Sequence, residues 1–213
     1  MNRVFLLSPA NCNGVRARWL LGKKGSSMLA QRLRAEGGAP IGEVFTFLSA
    51  LYFRGKLAYA RAFARPPEAC IGVAIITPTA GLLSCEAAIG MALLRSFSRV
   101  PISAKNQRYR TSLCRAAKNW AELIGPACEV VLLGSIASTK YLSLLLPIFG
   151  ERLRVPAQFV GLGDMSRGGL LLRCVREQRE LDYIPASSIS GRNGELDEIG
   201  KRLNPSQHYL GID

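Results

Sequence analysis

The chain has 213 residues, the size of one domain, and 48% of them are hydrophobic, enough to build a core without disulfide or metal staples. Lys and Arg number 28 against 15 Asp and Glu, a net charge of +13. That excess points to a polyanionic partner, since cations that neutralise phosphates gain affinity by releasing counterions. The six cysteines include no Cys-x-x-Cys pair, which argues against a zinc ribbon or an iron–sulfur run and for free thiols in a reducing cytoplasm. The apolar part of "MNRVFLLSPANCNG" is too brief for a signal peptide or a span, and Pro147 interrupts "YLSLLLPIF", so no membrane partner is expected.

In chain order, "RVFLL" reads as a buried strand ended by "SPANCNG". "VRARWLLGKKGSSMLAQRLRAEGG" is basic and helical in part. "PIGEVFTFLSALYFRGKLAYARAFARPP" is a long amphipathic helix closed by Pro66 and Pro67. A second buried strand, "CIGVAIITPTAG", leads into a helix, "SCEAAIGMALLRSF", and then a strongly basic amphipathic helix, "AKNQRYRTSLCRAAKNWAELIGP". "CEVVLLGS" is a third strand, followed by the helix "STKYLSLLLPIFGERL" and a fourth short strand, "PAQFVGLG". Residues 1–180 are expected to form one α/β domain, with residues 181–213 a polar extension packed on it. Apolar strands alternating with helices predict a three-layer α/β/α domain around a mainly parallel four-stranded sheet.

Ligands in such sheets sit beyond the carboxyl ends of the strands, where three polar loops fall. In "SPANCNG", Ser8, Asn11 and Asn13 offer uncharged donors and acceptors, although Asn side chains in turns also bond their own backbone. In "GSIASTKY", Ser135 serves a ligand or a helix cap, and Lys140 with Tyr141 suits a phosphate. In "GLGDMSRGG", Asp164 is a candidate general base, and Ser166 with Arg167 can grip a phosphate between glycines that admit close backbone approach. The alternative is a plain Asp164–Arg167 ion pair. Lys105, Arg108 and Arg115 with Tyr109 and Trp120 form a basic stripe with interleaved aromatics, suited to a nucleic-acid groove; Trp120 itself reads better as core. The only histidine is His208, in the tail, so Ser-His-Asp and Cys-His catalysis lack support. No His, Asp and Glu cluster has metal-ligand spacing, and neither metal nor cofactor is expected.

The layout "LLSPANCNG", then "CEVVLLGSIASTKY", then "PAQFVGLGDMSRGG" resembles the uracil-DNA-glycosylase-like superfamily over about residues 3 to 173. It also resembles small bacterial peroxide-stress domains and anti-phage glycosylases acting on glucosylated hydroxymethylcytosine. The resemblance implies a glycosylase-like fold and a monomeric enzyme that binds double-stranded DNA, flips one nucleotide and hydrolyses its N-glycosidic bond, with a place in anti-phage defence. It also implies that Asn11 positions the attacking water, with Asp164 next in line, while donors of the last loop hold phosphates and the leaving base. The family's His-Pro-Ser is replaced here by Asp164-Met165-Ser166-Arg167, which implies a modified base in place of uracil. Two other functions fit the same residues: a non-catalytic nucleic-acid-binding module, and an N-glycosidase acting on free nucleosides or nucleotides.

Overall fold

The computed structural model describes residues 1–22, 27–134 and 139–190. Its elements are β1 (Arg3–Leu7), α1 (Val15–Leu21), α2 (Met28–Arg34), β2 (Ala39–Pro40), α3 (Ile41–Phe63), β3 (Val73–Ile76), β4 (Leu82–Ser84) and β5 (Ala88–Ile89). There follow α4 (Met91–Arg99), α5 (Gln107–Leu123), β6 (Glu129–Leu133), α6 (Thr139–Phe149), β7 (Leu153–Pro156), α7 (Asp164–Arg176), β8 (Tyr183–Pro185) and α8 (Ser187–Ser190).

The main sheet has the order β4-β3-β1-β6-β7-β8. Its four inner strands are parallel, as expected, but it is six-stranded, with an antiparallel strand at each edge. Every residue from Val4 to Leu7 and from Val130 to Leu133 is fully buried. Because successive side chains point to opposite faces, both faces of these strands are covered. The helices that cover them pack as α3 with α7 and as α5 with α6.

Three expected elements differ. "SCEAAIGMALLRSF" is helical only from Met91: the chain folds back at residues 77–81, where the Thr77 N–H donates to the Gly81 carbonyl at 2.8 Å, Leu82–Ser84 pairs antiparallel with β3, and Ala88–Ile89 pairs with β2 before α4 begins. The fourth parallel strand is Leu153–Pro156, upstream of the apolar residues Phe159 and Val160. Those two are buried in and beside a 3-10 turn at Ala157–Phe159, so their burial reflects packing under the sheet and not membership of it. The edge strand β8 lies beyond residue 180, so the start of the polar extension completes the sheet; residues 191–213 are outside the described residues.

The amino ends of the strands carry a structural charge network. Glu129 accepts from Arg3 at 2.7 Å and from Arg154 at 3.2 Å, and Glu180 pairs with Arg3 and Arg65. Burial raises the Glu129 carboxyl, but Arg3 and Arg154 outweigh it and hold that group below the usual carboxylate range. The carboxyl ends, by contrast, open into a cavity.

Candidate functional site

In this strand order the chain adds β3 and β4 on one side of β1 and then β6, β7 and β8 on the other, so the order of strand addition reverses between β1 and β6, which remain parallel. Crevices at such switch points are where open α/β sheets bind ligands. A cavity of about 400 Å³ opens there. Its wall takes Ser8 to Asn11 from the loop after β1, Ser49, Tyr52 and Lys56 from α3, Lys140 and Tyr141 from the start of α6, Asp164 from the start of α7, and Ile102.

Helix α3 reaches into this crevice through a break. Ala50 has φ 47° and ψ −120°, a strained conformation for a residue with a Cβ. The break lies between Ser49 and Tyr52, and α7 packs directly on it. A Cβ at Gly168 would stand 2.9 Å from the Tyr52 Cα, and one at Gly55 would stand 2.7 Å from the Gly168 carbonyl oxygen. The glycine expected to admit a ligand at residue 168 thus admits a helix instead.

"GDMSRGG" is the first two turns of α7 and not an open loop. Its three polar side chains therefore separate. Asp164 is largely exposed and lines the cavity. Ser166 is exposed and lies outside the cavity wall. Arg167 is only 7% exposed. Its guanidinium donates to the Phe159 carbonyl at 3.0 Å, stacks 5.3 Å from the Phe159 ring, and meets Asp164 at 3.4 Å. The phosphate-gripping role expected of Arg167 requires an exposed guanidinium, and this one is packed inside.

The first loop keeps its promise in part. Asn11 lines the cavity, but its Oδ1 accepts the Asn13 N–H at 2.9 Å, the backbone-bonding turn open to such residues. Asn11 thus presents Nδ2 and the remaining lone pair of Oδ1. Asn13 is exposed and does not line the cavity. Ser8 is buried at the end of β1, and a Cβ at Gly134 would lie 2.8 Å from its Cβ, so the bare backbone after β6 makes room for it. Ser135 is outside the described residues. Lys140 and Tyr141 reach the cavity as expected, with the ammonium 5.3 Å from the Tyr141 ring.

Lys56 is the residue the sequence reading missed. It is 1% exposed, and its Nζ donates to the carbonyl and to the hydroxyl of Ser8, each at 2.7 Å. The rings of Tyr52 and Phe53 stand 4.6 Å and 4.9 Å away. Burial drives the amine down from 10.5 to about 7, Asp164 working against that fall and Arg167 with it. A signal was present: Phe45, Leu48, Tyr52, Phe53, Lys56, Ala60 and Phe63 recur at helical spacing, placing a lysine on the apolar face. Tyr52 is buried beside it, and its hydroxyl has no hydrogen-bond partner among the described residues. Burial pushes that hydroxyl up to about 12, with the Arg167 charge opposing the rise.

On α5, Arg108 and Arg115 are exposed, and Lys105 is exposed in the turn before its Asn106 cap, upstream of the helix it was expected to join. Tyr109 is fully buried and its hydroxyl donates to the Lys140 carbonyl at 3.3 Å, so it cannot stack on a base, contrary to expectation. Its role is to fasten the start of α5, with Lys105 and Arg108 nearby, to the start of α6 at the cavity. Trp120 is buried, as expected. Glu86 pairs with Arg61 in a second cavity that shares no lining residue with the first. Among the described residues no group of His, Cys, Asp and Glu is placed to hold a metal ion, and no helix is long and apolar enough to cross a membrane.

Compared with known proteins, the chain matches no family model, no curated protein and no solved structure.

Proposed function

We propose that the chain is a DNA glycosylase that draws one nucleotide out of duplex DNA into the cavity between β1 and β6 and hydrolyses its N-glycosidic bond. The observation that carries this reading is the make-up of that cavity. It lies at the sheet's switch point, holds about 400 Å³, and combines two tyrosines, a carboxylate, an Asn and two lysines. The Tyr52 and Tyr141 side chains in the wall suit contact with a base at their exposed edges, and Lys140 beside them suits a phosphate. The exposed cations Lys105 and Arg108 lie in the turn before α5 and in its first turn, where a duplex would run. The order of loops around the cavity supports a glycosylase-like reading of the fold.

In this mechanism the glycosidic bond stretches toward an oxocarbenium-like state. Asp164 faces the developing positive charge and takes a proton from the attacking water. Asn11, one acceptor position already committed to its own turn, orients that water through Nδ2 or the other lone pair. A modified base is the expected substrate, and anti-phage defence the expected setting. The test is incubation with duplexes carrying different modified bases, followed by alkali to cut abasic sites. Free base and alkali-dependent cuts support the reading. Length-dependent DNA binding without base release supports a binding module, and release from free nucleotides alone supports a nucleoside or nucleotide N-glycosidase.

A further inference from the structure

A lysine that is almost wholly buried needs a reason, because desolvating an ammonium is costly. Among the described residues Lys56 forms no ion pair: its nitrogen hydrogen-bonds there only to the Ser8 carbonyl and hydroxyl. It stands among Tyr52 and Phe53 of its own helix. Asp164 and Arg167 act on it from α7, and Lys140 and Tyr141 share its cavity from α6. Of these only Asp164 carries negative charge, and it is paired with Arg167 at 3.4 Å. The surroundings favour the neutral amine. A neutral amine has two N–H bonds and one lone pair. The Ser8 carbonyl accepts one N–H bond, and the rotatable Ser8 hydroxyl, which can accept the other or donate to the lone pair, turns to free that lone pair for a ligand in the cavity. Two fixed partners 2.7 Å away hold the nitrogen in place, which is what a positioned nucleophile requires.

We propose that Lys56 captures the abasic sugar left in the cavity as an imine at C1′. This rests on the glycosylase reading, which supplies an aldehyde in that place. After base loss the C1′ hemiacetal opens, its hydroxyl proton passing to O4′ as the C1′–O4′ bond breaks. The Nζ lone pair then adds to the aldehyde carbon and a proton moves from nitrogen to oxygen, giving a carbinolamine. Loss of water, with the second N–H proton leaving alongside the hydroxyl, forms the C=N bond. No oxidant or reductant is needed. The partner is an aldehyde of an abasic nucleotide, and the outcome is an enzyme covalently held on its product.

The experiment uses the full chain and a duplex with a preformed abasic site, so that it does not depend on base release. Sodium cyanoborohydride reduces an imine to a stable secondary amine, and peptide mass mapping locates the modified residue. A reductant-dependent protein–DNA adduct on Lys56 is expected, with Lys56→Met reducing its yield at least tenfold. Mapping on the unaltered chain keeps the result interpretable if the variant fails to fold. No adduct, or an adduct only at the N-terminal amine or another lysine, overturns the proposal. Base release from modified duplexes, measured separately, keeps the two readings apart. Release without an adduct overturns only the imine, whereas an adduct without release overturns only the glycosylase.

Discussion

Lys56→Met should stabilise the protein at low pH and destabilise it at high pH. Folding lowers the amine from 10.5 to about 7, so between those values the unfolded chain binds a proton that the folded chain does not. Stability of the natural chain therefore rises with pH across that window, and below it the full penalty is present. At about 1.4 kcal/mol per pH unit the penalty is on the order of 4–5 kcal/mol. The groups acting on the amine, Asp164 against its fall and Arg167 with it, are already included in that value. Methionine fills similar space and removes the penalty, but leaves the Ser8 carbonyl without its donor, which costs about 1–3 kcal/mol. The net gain at pH 6 is about 2 kcal/mol, or about 4–8 °C in thermal midpoint for a chain of this size. Near pH 10 most of the gain is gone and only the lost hydrogen bonds remain, so the variant melts below the natural chain. Thermal unfolding followed by circular dichroism at both pH values checks this. An equal loss at pH 6 and pH 10 would refute it, because Lys56 would then be charged and held by its partners at ordinary pH.

Arg167→Ala should lower stability by about 2–3 kcal/mol in denaturant titration, since it removes a buried guanidinium from the Phe159 carbonyl and ring; an unchanged midpoint would mean that the side chain is not packed as described. Gly55→Ala should cost about 1–3 kcal/mol or more, because its Cβ would meet the Gly168 carbonyl oxygen at 2.7 Å and backbone cannot swing aside. A Gly55→Ala protein melting like the natural chain would contradict the α3–α7 contact. Arg108→Ala with Arg115→Ala should flatten the salt dependence of DNA binding by about one to two contacts, read from a log–log plot of affinity against salt. Binding that ignores salt would remove these cations from the interface.

The parallel core and the polar loops at the carboxyl ends of its strands were legible in the sequence because buried strands announce themselves as short apolar runs; which pair of strands the cavity lies between was not. "RVFLL" and "EVVLL" are fully or almost fully buried strands, and the polar loop after the first does line the cavity. The edges were not legible. "LLS" and "YIP" are three-residue strands whose pairing depends on turns that bring them back to the sheet. "FVG" misled because a 3-10 turn can be buried as deeply as a strand. At the site, Lys140, Tyr141, Asn11, Ser8 and Asp164 converge as their loops suggested, but Arg167 does not, since three residues into a helix its side chain turns inward. Lys56 and Tyr52 were hidden in a helix read only for its amphipathic outline, where the polar member of the apolar face was the informative one.

The central claim, that this cavity breaks an N-glycosidic bond, is tested most directly by base release from a panel of modified duplexes, comparing the natural chain with Asp164→Asn. The account predicts free base and alkali-labile sites on at least one duplex. It further predicts a rate per folded molecule falling on the order of 100-fold or more in the variant while DNA affinity holds; the thermal midpoint falls modestly, because the buried Arg167 guanidinium loses its carboxylate, a loss of about 1–3 kcal/mol. Duplexes that are bound but never lose a base, or an Asp164→Asn protein that releases base at the natural rate, would contradict it.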